Sequence, residues 1–157
     1  MDTEFLIKLP LFGGIKIENM EKIKHLLQIE TYAQGENIIK EGETGNKLYI
    51  IIEGSVEILK KNPLNKHQEQ KIATLAKGDN FGEMELIDIQ ARVATVKTMT
   101  KTTVCSLSNK DLYSIEKWDS GSFVLIIMNL AREISRRLRK MDNLMANLSM
   151  TINSKDV

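Results

Sequence analysis

The residues best suited to chemistry lie in one stretch, Phe81 to Val96, which reads FGEMELIDIQARVATV and follows the turn KGDN. Gly82 opens it, room for one short helical turn follows, and a single arginine, Arg92, stands ten residues after Gly82. A phosphate is held by backbone N–H groups that can approach it closely, which favours glycine and a helix start, together with a guanidinium that grips two oxygens at once. A ribose needs an acceptor for its 2′-hydroxyl, and Glu83, directly after the glycine, is the candidate. One short loop thus carries the parts for a sugar and a phosphate. The competing reading of Glu83 and Arg92 is a mutual ion pair that closes the loop without a ligand.

The elements that must position this loop are short and β-branched. Asn37 to Lys40, Leu48 to Ile52, Val56 to Lys60, Lys71 to Leu75, Val93 to Met99 and Thr102 to Leu107 read as strands, separated by EGETGN, EGS, KNPLNK and KGDN. Such a series describes a sandwich or barrel, and the strand–helix alternation of a parallel sheet is missing. Ahead of the strands, Ile15, Met20, Ile23, Leu26 and Leu27 recur at helical spacing and predict an N-terminal helix ending near Ile29. The polar run NPLNKHQEQ reads as an exposed hairpin loop. After the strands, Asn109 can cap a helix over KDLYSIEKW, and Asp119 or Ser120 can cap a second that continues to about Met150.

That last helix carries a separate pattern. Ile127, Ala131, Ile134, Leu138, Met141, Met145, Leu148 and Ile152 follow one another by alternating steps of four and three, the apolar seam of a coiled coil. The first turns should pack on their own domain, whereas beyond Leu138 the helix outruns a domain this small, so a two-fold partner is the expected cover. The basic run Arg132, Arg136, Arg137, Arg139 and Lys140 reads as a solvated helix face.

Composition sets the limits. With 157 residues, 42% of them hydrophobic, the chain can bury one core and carry an accessory helix. Lys and Arg number 22 against 21 for Asp and Glu, so no global charge advertises a nucleic acid or an anionic membrane, and anion specificity must be local. Cys105 is alone, which excludes an internal disulfide and fits a reducing cytoplasm. The start MDTEFLIKLPLF lacks a basic region before an apolar run, and the longest apolar stretch, Phe123 to Met128, is too short for a bilayer, so a soluble, unprocessed cytoplasmic chain is expected. His25 falls in the first helix and His67 in the polar loop, too far apart for a metal set, and no Ser-His or Cys-His arrangement stands out. The expectation is a non-enzyme with no catalytic residue, no metal and no cofactor.

The segment FGEMELI, followed after four residues by RVATV, resembles the phosphate-binding cassette of cyclic-nucleotide-binding domains, whose usual form is FGE, Leu or Met, a small residue, Leu, and then Arg-x-Ala-Thr/Ser. Upstream, GENIIKEGETGNKLYIIIEGSVEI is similar to the run preceding that cassette, with Gly35, Gly42, Gly45 and Gly54 at turn positions, and the likeness extends over about residues 5 to 150. It implies an α+β, mainly β fold: an antiparallel β-roll or jelly roll with an N-terminal helix, a short cassette helix and C-terminal helices, the last one long. The implied division is a helical segment 1–29, the β-roll 30–108, and hinge and dimerisation helices 109–157, one functional domain overall.

Residue by residue, the resemblance implies that Gly82 and the amides of Met84, Glu85 and Leu86 face the cyclic phosphate, that Arg92 pairs with its exocyclic oxygens, with Val93 and Ala94 completing the cassette, and that Glu83 takes the 2′-hydroxyl. Ile72 and Leu75 would wall the base pocket, closed by the C-terminal helix. Glu85 departs from the family's small residue; a carboxylate about 5 Å from a phosphate would cost roughly 3 kcal/mol at an effective dielectric near 20 unless it turns to solvent. Met141 and Asp142 stand where catabolite-activator-like members place a Thr-Ser pair on adenine, so those contacts do not carry over. Trp118 reads as core packing rather than a base cap. Val93 stands where members selective for cyclic GMP usually have threonine, which implies cyclic AMP ahead of cyclic GMP. The implied function is a cyclic AMP sensing module that relays occupancy through its C-terminal helices to an unidentified protein, as a homodimer that binds neither membrane nor DNA; only TINSKDV follows Met150, where a DNA-reading helix pair would stand. Two alternatives remain: a ligand-free dimerisation module, and the sensory half of a transcription regulator.

Overall fold

The computed structural model describes residues 2–65, 68–88 and 90–153, apart from the side chains of Glu85, Ile152 and Asn153. His67 and the side chain of Ile152, at the end of the seam, therefore lie outside the described residues. The chain order is α1 (Thr3–Leu6), a 3₁₀ turn (Pro10–Phe12), α2 (Ile17–Lys24), β1 (Gln28–Tyr32), β2 (Asn37–Ile39), β3 (Lys47–Glu53), β4 (Ser55–Lys61), β5 (Glu69–Ala76), β6 (Asn80–Phe81), α3 (Met84–Ile87), β7 (Thr95–Thr98), β8 (Thr102–Ser108), α4 (Asn109–Trp118) and α5 (Ser120–Asn153).

The run KLYIII in β3 is apolar on both faces because both faces are covered. Leu48 and Ile50 point to a helical layer with Cys105 and Leu107 of β8, where Phe12, Met20, Ile23, Leu112, Ile115, Ile126 and Leu130 meet them. Tyr49 and Ile51 alternate to the other side and join Ile39, Val56, Phe81, Val96 and Val104 in a core between the sheets. The two antiparallel four-stranded sheets run β1-β8-β3-β6 and β2-β7-β4-β5, the mainly β roll that the family resemblance implies. Gly54 alone reverses the chain between β3 and β4; its φ is +90°, and a Cβ there would meet the Lys101 carbonyl oxygen at 2.5 Å.

Two local expectations are corrected, and one strand is added. The first main helix stops at Lys24, and Gln28–Tyr32, expected to fall partly in it, forms edge strand β1 against β8. Ile29, Thr31 and Tyr32 are strand formers, but the helical spacing of Leu26 and Leu27 carries the helix reading past Lys24, and pairing with β8 decides the conformation. Strand β6, two residues long, was too short to read. Ser108, not Asn109, caps α4: Ser108 is extended at φ −82°, ψ 157° and accepts the Asp111 N–H at 3.1 Å. Asn109, already helical, instead donates its amide to the Leu86 carbonyl at 2.9 Å and so ties α4 to α3.

Helix α5 has 34 residues, about 51 Å at 1.5 Å per residue. Asp119 starts it, accepting the Ser122 N–H at 3.2 Å and bonding the Ser122 hydroxyl and the Asn19 amide. The Ser122 hydroxyl, foremost, holds that carboxyl below its ordinary value. Asn129 donates to the carbonyls of Leu11 and Gly13, each at 3.0 Å. The α4–α5 hinge is thereby fastened to the N-terminal helices, while every described side chain from Leu138 onward is exposed.

Candidate functional site

Arg92 is 6% exposed and held on all sides. Its Nη1 donates to the Gly82 carbonyl at 3.3 Å and its Nη2 to the Lys47 carbonyl at 3.0 Å. The guanidinium carbon lies 5.9 Å from the centre of the Tyr49 ring, which stacks on Phe81 at 5.2 Å. A Cβ on Gly45 would sit 2.2 to 2.5 Å from three guanidinium atoms, and one on Gly82 2.7 Å from Nη1. Gly82 also has φ +77°, a conformation that side chains resist. Two glycines therefore make the slot in which the guanidinium lies, and a cavity of about 240 Å³ lined by Ile38, Glu43, Gly45, Lys47 and Tyr49 adjoins it. Backbone bonds lock the entry to the slot: Arg92 N–H to the Glu43 carbonyl and Gly42 N–H to the Arg92 carbonyl, both 2.8 Å.

Glu83 follows at once, 7% exposed. Its Oε1 accepts Nη1 of Arg137, from α5, at 2.8 Å, while its Oε2 is buried with no hydrogen-bond partner among the described residues. Arg137 also donates Nη2 to the carbonyl of Asn80 at 2.6 Å and to its Oδ1 at 3.1 Å, and Nε to Glu133 at 3.2 Å. The long helix is thus strapped to both shoulders of Phe81-Gly82. A buried oxygen without a donor costs about 1 to 3 kcal/mol, and a hydroxyl presented to Oε2 would recover that cost.

This corrects two readings of the sequence. Glu83 pairs with Arg137 rather than with Arg92, and Arg137 is not part of a solvated face. The signal was available: Ile126, Leu130, Glu133 and Arg137 follow one another by steps of four, three and four, a second stripe one position before the seam. Ile126 and Leu130 on that stripe are fully buried against the domain.

The cassette residues Gly82, Glu83, Met84, Leu86, Arg92, Val93 and Ala94 lie on one loop. Leu86 is buried in the helical core, whereas the side chains of Met84 and Val93 are 51% and 43% exposed. The single turn α3 leaves the first amides at Met84, Glu85 and Leu86 without acceptors inside the helix; the side chain of Glu85 lies outside the described residues. On β5, Leu75 packs against the inter-sheet core. Ile72 is the extra residue of a bulge, since Ile58 pairs with Ala73 and Leu59 with Lys71, and it is 59% exposed. Trp118, expected in the core, is instead 41% exposed and stands against Lys22, whose ammonium lies 5.5 Å from the ring centre. Burial pushes the Cys105 thiol up to about 12, far from a nucleophile's range. Among the described residues no group of His, Cys, Asp or Glu could hold a metal ion.

Residues 29–117 match the family model of the cyclic nucleotide-binding domain, and the chain belongs to that family. It is 31% identical over 133 residues to the cyclic AMP receptor protein of Thermus thermophilus, covering 85% of this chain and 59% of that one. It is 36% identical over 93 residues to a cAMP-dependent protein kinase regulatory subunit of Mycosarcoma maydis, covering 59% of this chain and 17% of that one. Among solved structures, the Thermus thermophilus catabolite activator protein superimposes with a TM-score of 0.77 at 31% identity, over 89% of this chain and 63% of that one. A cyclic nucleotide-binding domain from Methylobacillus flagellatus does so with 0.79 at 25% identity, over 88% and 76%. The chain spans between 14% and 63% of the length of the curated relatives it matches.

The strap makes a stability prediction that needs no ligand. Arg137→Met strands the Glu83 carboxylate and should lower the unfolding free energy by about 2 kcal/mol, less than for a fully buried pair because Arg137 is partly exposed. Adding Glu83→Gln should restore part of it, so a double-mutant cycle by chemical denaturation should give a coupling of about 1 kcal/mol. Strict additivity would mean that the two side chains do not interact in solution.

Proposed function

We propose that this chain is a sensor of a cyclic nucleoside monophosphate, cyclic AMP ahead of cyclic GMP, that relays occupancy through α5. One observation carries the reading: a buried carboxylate, Glu83, whose Oε1 holds the long helix and whose Oε2 has no partner among the described residues, next to a buried and immobilised arginine. In this mechanism the cyclic phosphate meets Arg92 and the amides at Gly82, Met84, Glu85 and Leu86, and the ribose 2′-hydroxyl donates to Glu83 Oε2. Ligand and helix then share one carboxylate. Whatever difference in affinity the ligand has for two poses of α5 is the free energy available to move it. No bond is made or broken, and the role is recognition rather than catalysis. The helical segment 1–29, the roll 30–108 and the helices 109–157 work as one unit.

The preference for cyclic AMP rests on Val93. A guanine 2-amino group set against valine loses its water without gaining an acceptor, at about 1 to 3 kcal/mol, whereas adenine has no such group there. Ile72, on its bulge, and Leu75 belong to the base side of the site in this reading.

The second copy is the proposed cover of the seam. Beside Ile127, Ile134 and Leu138 an apolar groove of about 530 Å³ runs down to Leu86, Ile87 and Tyr113, so the seam continues onto the cassette helix. Beyond it Leu138, Met141, Met145 and Leu148 are each at least 59% exposed, a run of apolar side chains on one helix that a parallel partner would bury. With a net charge of +1 and no described helix long and apolar enough to cross a membrane, the reading stays with a cytoplasmic module that binds neither DNA nor membrane by itself. Its output is an unidentified protein surface that reads the position of α5.

Titration calorimetry tests the site. Cyclic AMP should bind the wild type, and Arg92→Lys should weaken it at least about tenfold, because an ammonium cannot reproduce a two-pronged contact. Unchanged affinity would make Arg92 structural. Light scattering tests the seam: Leu138→Glu should turn a dimer into monomers, since two like charges would face each other across the axis. A wild type that is already monomeric would remove the dimer from the account.

A further inference from the structure

The segment beside the guanidinium is pinned on both sides of a short gap. On one side Arg92 exchanges backbone bonds with Gly42 and Glu43, and Ala91 bridges Thr44. On the other, the Thr95 hydroxyl accepts the Glu41 N–H at 3.1 Å at the start of β7. Between them Val93 and Ala94 belong to no strand. The carbonyl of Val93 is nevertheless held, by the ammonium of Lys60 reaching from β4. Lys60 is in turn paired with Oε1 of Glu41 at 3.5 Å, and Oε2 of Glu41 accepts the backbone N–H of Lys61 at 2.9 Å. Glu41 thus bonds to both arms of the contact, β4 and β7.

We propose that Lys60 and Glu41 are a positioning pair for the nucleotide site: Lys60 fixes the Val93–Ala94 peptide by its carbonyl, and Glu41 fixes Lys60. A trans peptide directs its C=O and N–H to opposite sides. Pinning the Val93 oxygen toward β4 therefore sets the direction of the Ala94 N–H, a donor two residues from Arg92, and fixes how Val93 presents its side chain to the base. Neither Lys60 nor Glu41 need touch the ligand. The pair is partly exposed, 47% for the Lys60 side chain and 18% for that of Glu41, and exposed pairs add little to stability. Its effect should therefore show in affinity and selectivity rather than in the melting temperature.

This inference rests on the sensor reading, and two measurements keep their failures apart. In the ligand-free protein, 15N relaxation should give backbone order parameters at Val93 and Ala94 that fall from about 0.85 to about 0.6 in Lys60→Met, with values elsewhere unchanged, because the peptide loses the ammonium that holds its carbonyl. In calorimetry, Lys60→Met should weaken cyclic AMP about tenfold and narrow the preference over cyclic GMP, whereas Lys60→Arg should stay within about threefold of wild type. Lower local order parameters and weaker binding together support the positioning role. Wild-type order parameters in Lys60→Met overturn it whether or not cyclic AMP binds. If the wild type shows no binding of cyclic AMP, the sensor reading fails, and lower order parameters would then leave only a structural clamp.

Discussion

A carboxylate buried at a junction must be satisfied from several directions, and in this molecule Glu83 sits where the β-roll, the cassette turn and the long helix meet. Burying a charge is expensive unless it is paired and hydrogen-bonded. Arg137 supplies the charge from α5 and spends its remaining donors on Asn80 and Glu133, so the helix cannot leave the cassette without uncovering Glu83. The pose of a 34-residue helix is thereby tied to the environment of one carboxyl group.

The rest of the fold serves that junction by making the loop around it stiff. Because β3 is covered on both faces, its carbonyl at Lys47 is a fixed acceptor for Arg92, and Tyr49 on the same strand gives the guanidinium a ring to lie over. Gly45 and Gly82 leave room for the guanidinium where any side chain would collide with it. Preorganisation of this kind lowers the ordering cost that an incoming anion would otherwise meet. On the helical side, Asn109 to Leu86 and Asn19 to Asp119 join the cassette turn, α4, the hinge and the N-terminal helices into one layer.

Much of this was legible in the residues. Gly82, Glu83 and Arg92 stood out because phosphate and sugar recognition needs those types close together, and the strands around them are short, β-branched and bounded by turn residues, which is enough to read them. What escaped had weak or double-valued signals. β1 follows Leu26 and Leu27, whose helical spacing masks it, and gets its conformation from β8. Asn109 looks like a cap, but its neighbour Ser108 has the extended backbone that a cap needs, and sequence alone does not choose between adjacent candidates. Arg137 was hidden among basic neighbours; only the stripe through Ile126 and Leu130 separates it from them. Ile72 lies on a bulge, which shifts the alternation by one residue and defeats any inference about which way the side chain faces. The contact of Lys60 with Val93 joins residues far apart in the chain and leaves no local trace.

The central claim is that Glu83 Oε2 is the acceptor for a ribose hydroxyl while Oε1 holds the helix. Calorimetric comparison of cyclic AMP with its 2′-deoxy analogue on the wild-type protein tests it most directly, because the two ligands differ by that one donor. The deoxy compound should bind at least about tenfold more weakly, a loss of about 1.4 kcal/mol or more for an acceptor left buried and unpaired. Equal affinities would contradict the account and would leave Glu83 as a tether for Arg137 alone.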